Sequence, residues 1–189
     1  MIVYIIPAPM NKLDVKQRVS GWRSVPLDRN TKQEWRGALK QLTAERGIER
    51  VIASDLDSEA ANVAGDELRI PVKTDYIYRR FNFGRFHARN AAVADGALRA
   101  VEKNWKSNPD VPIREGDSLT SYRKRFVRAF EELLDKHGTA LFVTDPRTIA
   151  FIRGGLDSLS IIPNGSLVAR NKIYRVTNNS SEQILHAKS

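Results

Sequence analysis

Short apolar segments alternate along the chain with longer segments whose apolar residues recur every three or four positions. The strand-length segments lie at 3–6, 51–53 and 140–144, and polar or turn-forming residues follow each of them. The segments between them have the 3.6-residue periodicity of amphipathic helices. Such alternation is typical of a layered α/β domain, in which helices cover a sheet.

The first helix is predicted from a capping box and an apolar stripe. Thr31 and Glu34 have the spacing of a capping box, and Gly47 is suited to end the helix. The stripe between them consists of Trp35, Ala38, Leu39 and Leu42. We therefore expect a helix that starts near residue 31 and packs this stripe on the sheet.

Further helices are expected around 60–68, over 90–106, from Ser118 onward and over 148–153. The long helix from Ser118 carries an apolar stripe made of Leu119, Tyr122, Phe126, Phe130 and Leu133. Between 159 and 176 we expect two strands joined by a turn at 163–165, because Pro, Asn and Gly follow one another there. The polar segment 178–189 is expected to be a frayed tail, which leaves a single domain over residues 1–177.

Composition is that of a soluble globular protein and excludes several kinds of site. Hydrophobic residues make up 41% and charged residues 28% of the 189 residues. No apolar run approaches the roughly 20 residues that span a bilayer, and the N-terminus lacks the pattern of a signal peptide. The chain contains no cysteine, which excludes disulfides and thiol catalysis and fits a reducing compartment. We expect a cytoplasmic protein, with its oligomeric state open.

The charge of the chain changes the range of partners to consider. Its net charge is +9 and its sequence pI is about 10.0. Such an excess attracts polyanions, which include nucleic acid, acidic proteins and phosphorylated ligands. A generally basic soluble protein would have the same composition, so charge alone leaves both interpretations open.

Six segments carry a resemblance to a known family. They lie at 3–9, 21–27, 51–56, 81–84, 116–119 and 141–145. In order and spacing the chain resembles the histidine phosphatase superfamily, the phosphoglycerate-mutase-like enzymes. The resemblance implies a three-layer, doubly wound and mostly parallel sheet with helices on both faces. It also implies a pocket at the carboxyl ends of the strands, where open α/β sheets bind their ligands.

The family's catalytic residues are missing from the positions that the resemblance assigns to them. The family surrounds a phosphoryl group with a nucleophilic His, two Arg, a second His and an acid, and the nucleophile forms a phosphohistidine. In this chain Ala8 matches the nucleophilic His, and Pro7 and Ser58 match the two Arg. Asp145 matches the second His, and Arg80 matches the acid. Alanine has no lone pair to offer, and the three histidines of the chain, His87, His137 and His186, lie far from the first strand. The resemblance therefore implies a degenerate member that binds rather than catalyses.

Two other functions stay open at this point. A phosphoesterase with a rebuilt site would use Asp145 or Asp57 as its base. A structural or assembly protein would use the fold only as a rigid scaffold. No cofactor is expected, and a metal site at Asp55, Asp57 and Asp145 is disfavoured because no histidine clusters with them.

An arginine-rich segment at 79–90 is the strongest candidate for binding. Its basic residues alternate with Phe81, Phe83 and Phe86, and guanidinium groups meet phosphates while aromatic rings stack bases. The alternative is that the phenylalanines belong to the core. The candidate ligand-binding residues for an anionic macromolecule, nucleic acid or acidic protein, are Arg79, Arg80, Arg85, His87, Arg89 and Asp145.

Two more expectations concern charged side chains. The basic run 123–125 with Arg128 is interpreted as a solvated helix face, on which Arg128 pairs with Glu131 or Glu132. Arg80 and Asp145 occupy positions that border the family's phosphoryl site, so we expect them to pair directly or through one water. The alternative is that Arg80 points to solvent and Asp145 caps the helix near Thr148.

Overall fold

A computed structural model describes residues 1–42, 47–153, 172–177 and 180–186. Its strands are β1 (Ile2–Pro7), β2 (Arg50–Ala53), β3 (Val72–Thr74), β4 (Thr139–Thr144), β5 (Lys172–Thr177) and β6 (Ser180–His186). They form one six-stranded sheet in the order β3-β2-β4-β1-β5-β6. The first four strands run parallel, whereas β5 runs antiparallel to β1 and β6 antiparallel to β5. The predicted α/β sheet, doubly wound and mostly parallel, is confirmed.

The helices are α1 (Lys12–Val15), α2 (Arg29–Leu42), α3 (Ser58–Leu68), α4 (Ala91–Trp105), α5 (Leu119–Leu134) and α6 (Pro146–Arg153). Asn90 and Ser118 cap the starts of α4 and α5 with their side chains. The predicted start of α2 at a capping box is wrong. Asp28 accepts hydrogen bonds from the backbone N–H groups of Asn30 and Thr31, so the helix begins at Arg29.

Two apolar clusters lie on opposite faces of the sheet. Side chains of β1 alternate between them: Val3 and Ile5 belong to the cluster under α4, α5 and α6, whereas Tyr4 and Ile6 pack with the cluster under α2 and α3. The first cluster is rich in aromatic rings and contains the whole predicted stripe of α5: Leu119, Tyr122, Phe126, Phe130 and Leu133. Each fully buried Phe or Leu of this kind contributes about 1.5–3 kcal/mol to stability.

The C-terminal part of the chain differs from the expected frayed tail. Residues Ser180–His186 form β6, which pairs with β5 in an antiparallel ladder. An edge strand needs only backbone hydrogen bonds on one side, so polar side chains do not prevent it from forming. The predicted turn at 163–165 and the strand before it lie outside the described residues. Of the helices in the described part of the chain, none combines the length and hydropathy that crossing a membrane requires.

Candidate functional site

A narrow cleft, partly open to solvent, lies where β1, β2 and β4 end, and about 20 Å³ of it can hold the centre of a water molecule, which is room for about one water. This is the edge at which an open α/β sheet places its ligands. The walls come from the loop after β1, the segment 23–27, the start of α3 and the start of α6. The charged residues that line it are Asp14, Arg23, Asp57, Glu59, Arg80 and Asp145.

The end of β1 contributes no titratable side chain to the cleft. Ala8 is buried, and its N–H donates to the carbonyl oxygen of Thr144 at 2.7 Å, which continues the β1–β4 ladder. Next to it, the buried Asn11 caps α1 and donates from Nδ2 to Ser20 Oγ at 3.0 Å. The base of the cleft is thus built from small and hydrogen-bonded side chains.

A buried ion pair stands in the middle of the cleft. The guanidinium of Arg80 donates a hydrogen bond to Asp57, which also accepts one from Ser54 Oγ at 2.6 Å. Burial raises the pKa of Asp57, and the Arg80 guanidinium opposes this shift. Burial disfavours the charged form of Arg80, but the carboxylates of Asp57 and Asp145 more than offset this and raise its pKa. These shifts act on one hydrogen-bonded pair that is buried in the lining of the cleft.

Arg80 and Asp145 were expected to pair directly or through one water, and the direct form of that expectation is wrong. Asp145 Oδ1 accepts from the N–H groups of Arg147 at 3.0 Å and Thr148 at 3.4 Å, and its other oxygen accepts from Thr148 Oγ1. Asp145 is thus the N-terminal cap of α6, while Arg80 is neutralised by Asp57. The helix start holds the Asp145 carboxylate locally, although both charged side chains line the same cleft.

The neighbouring Arg79 faces a different environment. Its Nε donates to Asp55 Oδ1 at 2.7 Å, and its guanidinium lies 5.0 Å from the centre of the Trp22 ring. The Trp22 indole N–H in turn donates to the carbonyl oxygen of Arg80 at 2.6 Å. Arg79 is therefore held by a carboxylate and an aromatic ring rather than left free for an outside ligand.

Arg125 is not part of a solvated helix face, contrary to expectation. Its Nη1 donates to the carbonyl oxygens of Ile77 at 2.9 Å and Arg79 at 2.7 Å. The same guanidinium pairs with Asp117 at 3.3 Å and lies 5.0 Å from the Trp22 ring. Arg125 thus fixes the backbone that carries Arg79 and Arg80. Farther along α5, the expected pair of Arg128 with Glu132 is present at 2.8 Å.

The phenylalanines of the arginine-rich segment belong to the core. Phe81 and Phe83 are each 2% exposed, and Phe86 is 8% exposed. The core interpretation of these rings is therefore correct, and none of the three rings can stack on a base. Arg85 and Arg89, in contrast, are exposed.

His87 joins two loops beside the cleft. Its Nδ1 accepts a hydrogen bond from the backbone N–H of Gly21 at 2.9 Å. A Cβ at position 21 would lie 3.1 Å from that nitrogen, so the close approach favours glycine. Burial, with help from Arg23 and Arg80, lowers the pKa of His87. The ring is therefore neutral at physiological pH.

Comparison with known proteins identifies the family of this fold. The family model described as histidine phosphatase superfamily (branch 1) matches residues 10–162. The chain belongs to the histidine phosphatase superfamily. No match was found among curated proteins.

Solved structures of superfamily proteins share the fold along almost the whole chain. YhfR of Bacillus stearothermophilus is 20% identical, with a TM-score of 0.69 over 100% of this chain and 97% of that one. The α-ribazole phosphatase of Shigella flexneri is 14% identical, with a TM-score of 0.67 over 100% and 96%. A mycobacterial glucosyl-3-phosphoglycerate phosphatase is 16% identical, with a TM-score of 0.70 over 92% and 88%. At these identities the likeness shows the fold.

The structure separates the six candidate ligand-binding residues into three groups. Arg80 and Asp145 line the cleft of the superfamily fold, and Arg79 is paired beside it. His87 bridges two loops, and Arg85 and Arg89 are exposed on the segment around it. The candidates therefore do not form one site.

Sequence reasoning missed one feature at each of three positions. It considered Asp57 as a candidate base but did not foresee that Asp57 is the partner of Arg80. It gave no role to Asp14, which lines the cleft, and it assigned Arg125 to solvent. The signal that could have located Arg125 is its position three residues after Tyr122, since residues three apart share a helix face.

Proposed function

We propose that this superfamily member performs no phosphohistidine chemistry and acts as a binding protein. The observation that carries the proposal is Ala8, which stands where β1 enters the cleft and offers no atom that attacks phosphorus. A covalent mechanism needs that nucleophile before any supporting group matters. In the described part of the chain, the histidine beside the cleft is His87. Its Nδ1 accepts a hydrogen bond from the backbone N–H of Gly21.

The charges of the cleft support the same proposal. Its lining contains the carboxylates of Asp14, Asp57, Glu59 and Asp145 but only the guanidiniums of Arg23 and Arg80. Of these two guanidiniums, that of Arg80 is buried, and Asp57 already pairs with it. A phosphate in this cleft would meet more negative than positive charge, and like charges at close range disfavour each other.

The proposed partner is an anionic macromolecule, either nucleic acid or an acidic protein. The net charge of +9 supports this choice. Arg85 and Arg89 are exposed, and so are Arg18, which contacts the carbonyl oxygen of Ala88, and Arg23, which lines the cleft. These four cations make no ion pair with any described residue, so their charge is available to a partner.

The catalytic half of the proposal is tested with a panel of phosphoesters. α-Ribazole phosphate and glucosyl-3-phosphoglycerate belong in it because structural neighbours are described as phosphatases for them. We expect no phosphate release above buffer and no acid-labile phosphoenzyme after incubation with phosphoryl donors. Robust turnover that tracks the purified protein would overturn the proposal.

A rebuilt phosphoesterase is the second candidate, favoured by the buried Asp57 carboxyl in the cleft. Burial raises the pKa of Asp57, as in carboxyl groups that serve as general acids or bases. Under this candidate, Asp57→Asn abolishes phosphate release while the variant stays folded. Asp55→Asn is the matched control, because Asp55 pairs with Arg79 outside the cleft lining.

The binding half is tested by retention on heparin, duplex DNA and an acidic polypeptide as a function of salt. Phosphate contacts give a linear decrease of log affinity with log salt concentration. If the protein binds none of the three materials at low salt, the third candidate function remains, in which the fold serves only as a rigid scaffold.

A further inference from the structure

The hydrogen bond to Gly21 fixes the tautomer of His87. An imidazole nitrogen that accepts a hydrogen bond carries no proton, so the proton of the neutral ring lies on Nε2. Nε2 makes no hydrogen bond with any residue in the described part of the chain. His87 is partly exposed. It therefore presents a neutral N–H donor that is held in place from its other side.

Exposed arginines lie on the two segments that meet at His87. Arg18 Nη1 donates to the carbonyl oxygen of Ala88, the residue after His87, at 3.3 Å. Arg89 follows immediately in the chain, and its carbonyl oxygen accepts from the N–H of Val19 in the short ladder that joins the two segments. Arg23 is close enough to His87 to lower its pKa. The donor thus lies inside a field of positive charge.

We propose that His87, Arg18, Arg23 and Arg89 form a phosphate-binding subsite for the backbone of duplex nucleic acid, in which Nε2–H of His87 donates to a phosphate oxygen. The proposal rests on the proposed binding function and names its site and partner. Phosphate oxygens accept hydrogen bonds from neutral N–H donors as well as from guanidinium groups. The subsite lies on the loops beside the cleft, and Arg23, which also lines the cleft, connects the two.

The choice of duplex over single-stranded nucleic acid follows from the buried rings. Single-strand binding without sequence preference combines a basic groove with aromatic side chains on which bases stack. Phe81, Phe83 and Phe86, the rings of this segment, are all buried. Cations whose neighbouring phenylalanines are buried suit a regular phosphate backbone, whose recognition requires no base readout. Binding is therefore expected to be independent of sequence.

The subsite is tested by NMR titration of the histidine side chains. In the free protein, we expect the nitrogen spectrum of His87 to show the Nε2–H tautomer and a pKa below 6.5. A bound phosphate favours the protonated ring, so a short DNA duplex should raise the pKa of His87. His137 serves as an internal control and should respond less than His87 to the duplex.

The outcomes distinguish the subsite from the function on which it rests. Salt-dependent retention on duplex DNA with no change at His87 would refute the subsite but leave the binding function intact. A shift at His87 with an acidic polypeptide and none with DNA would overturn the nucleic-acid partner in favour of an acidic protein. Absence of retention on every polyanion would refute both proposals.

Substitutions give a second, independent measurement. The triple variant Arg18→Ser, Arg23→Ser and Arg89→Ser should lower the salt slope of duplex binding by about 0.9 for each phosphate that the protein no longer neutralises. The matched control replaces three exposed lysines away from this segment, Lys73, Lys103 and Lys106, with Ser. Equal changes in the two variants would mean that only total charge matters, and would refute the subsite. His87→Gln, which keeps an acceptor and a donor, should bind better than His87→Leu.

Discussion

Arg80 and Asp57 are bonded to each other inside the cleft, and each is more than nine-tenths buried. Removal of one partner leaves an uncompensated buried charge, which typically costs about 3–5 kcal/mol. We expect Arg80→Ala and Asp57→Ala each to lower the free energy of unfolding by an amount of this order. The double variant should lose less than the sum, since neither charge is then left alone.

Urea denaturation measures this coupling. Arg79→Ala and Asp55→Ala provide the control cycle, because that pair is substantially more exposed, with 28% and 38% of the two side chains accessible. Its coupling should be about 1 kcal/mol or less. Equal coupling in the two cycles would contradict the assignment of Arg80 and Asp57 as a buried pair.

A histidine introduced at Ala8 alone should not give phosphatase activity. In an Ala8→His variant, Pro7 and Ser58 still supply no guanidinium, and the Arg80–Asp57 pair still stands in the cleft. Loss of even one preorganised donor costs about 3 kcal/mol of transition-state stabilisation. We expect no phosphate release from the phosphoester panel. Turnover by this single variant would show that other residues of the cleft supply the missing donors.

Stability should decrease as the pH falls below about 6.5, through His87. Its pKa is lower in the folded protein than the ordinary value of 6.5, so the unfolded chain takes up the proton first. This contribution is fully present above pH 6.5 and is lost as the pH falls toward the folded pKa. His87→Gln should remove this part of the pH dependence of the melting temperature. An unchanged profile in that variant would assign it to other groups.

Removal of the N-terminal cap that Asp145 provides to α6 should lower the free energy of unfolding by a small amount. Asp145→Ala removes the acceptor for two backbone N–H groups of α6 and should cost about 0.5–2 kcal/mol. Asp145→Asn keeps an acceptor oxygen and should recover most of this loss. If the Asn variant is as unstable as the Ala variant, the charge of Asp145 matters more than its capping role.

Substitution of Arg125 should lower the free energy of unfolding far more than substitution of the neighbouring Lys124. Arg125→Gln removes donors from the carbonyl oxygens of Ile77 and Arg79 and leaves Asp117 without its cation. Lys124→Gln is the matched control, since Lys124 is exposed. We expect a loss of about 2–3 kcal/mol for Arg125→Gln and about 0.5 kcal/mol or less for the control. Similar losses would contradict the role of Arg125 in holding the 77–80 backbone.

The layers of the fold were predictable from the sequence because periodicity reports burial directly. The stripe that includes Tyr122, Phe126 and Phe130 was correct in every member, since a helix turns each of them to the same face. The strand β6 was missed because an edge strand is held by its backbone, which leaves little trace in side-chain polarity.

Predictions about the cleft were less accurate, because a long side chain can reach more than one nearby partner. Arg80 was expected beside Asp145, and both do line the cleft. The choice of Asp57 depends on a short turn at Asp55–Asp57 that brings its carboxylate under the guanidinium. The competing partner, Asp145, is occupied by the start of α6. Sequence order does not encode which of two carboxylates a turn brings closer.

The shortness of strand β3 affects whether a strand of another molecule can add to that edge of the sheet. It is only three residues long, Val72–Thr74, and it forms one edge of the sheet with Lys73 and Thr74 exposed. A short edge that carries a lysine offers few unpaired backbone groups to a strand of another molecule, and insertion there would have to bury or displace the charge. At this edge the fold protects itself against intermolecular strand addition and the aggregation that follows from it.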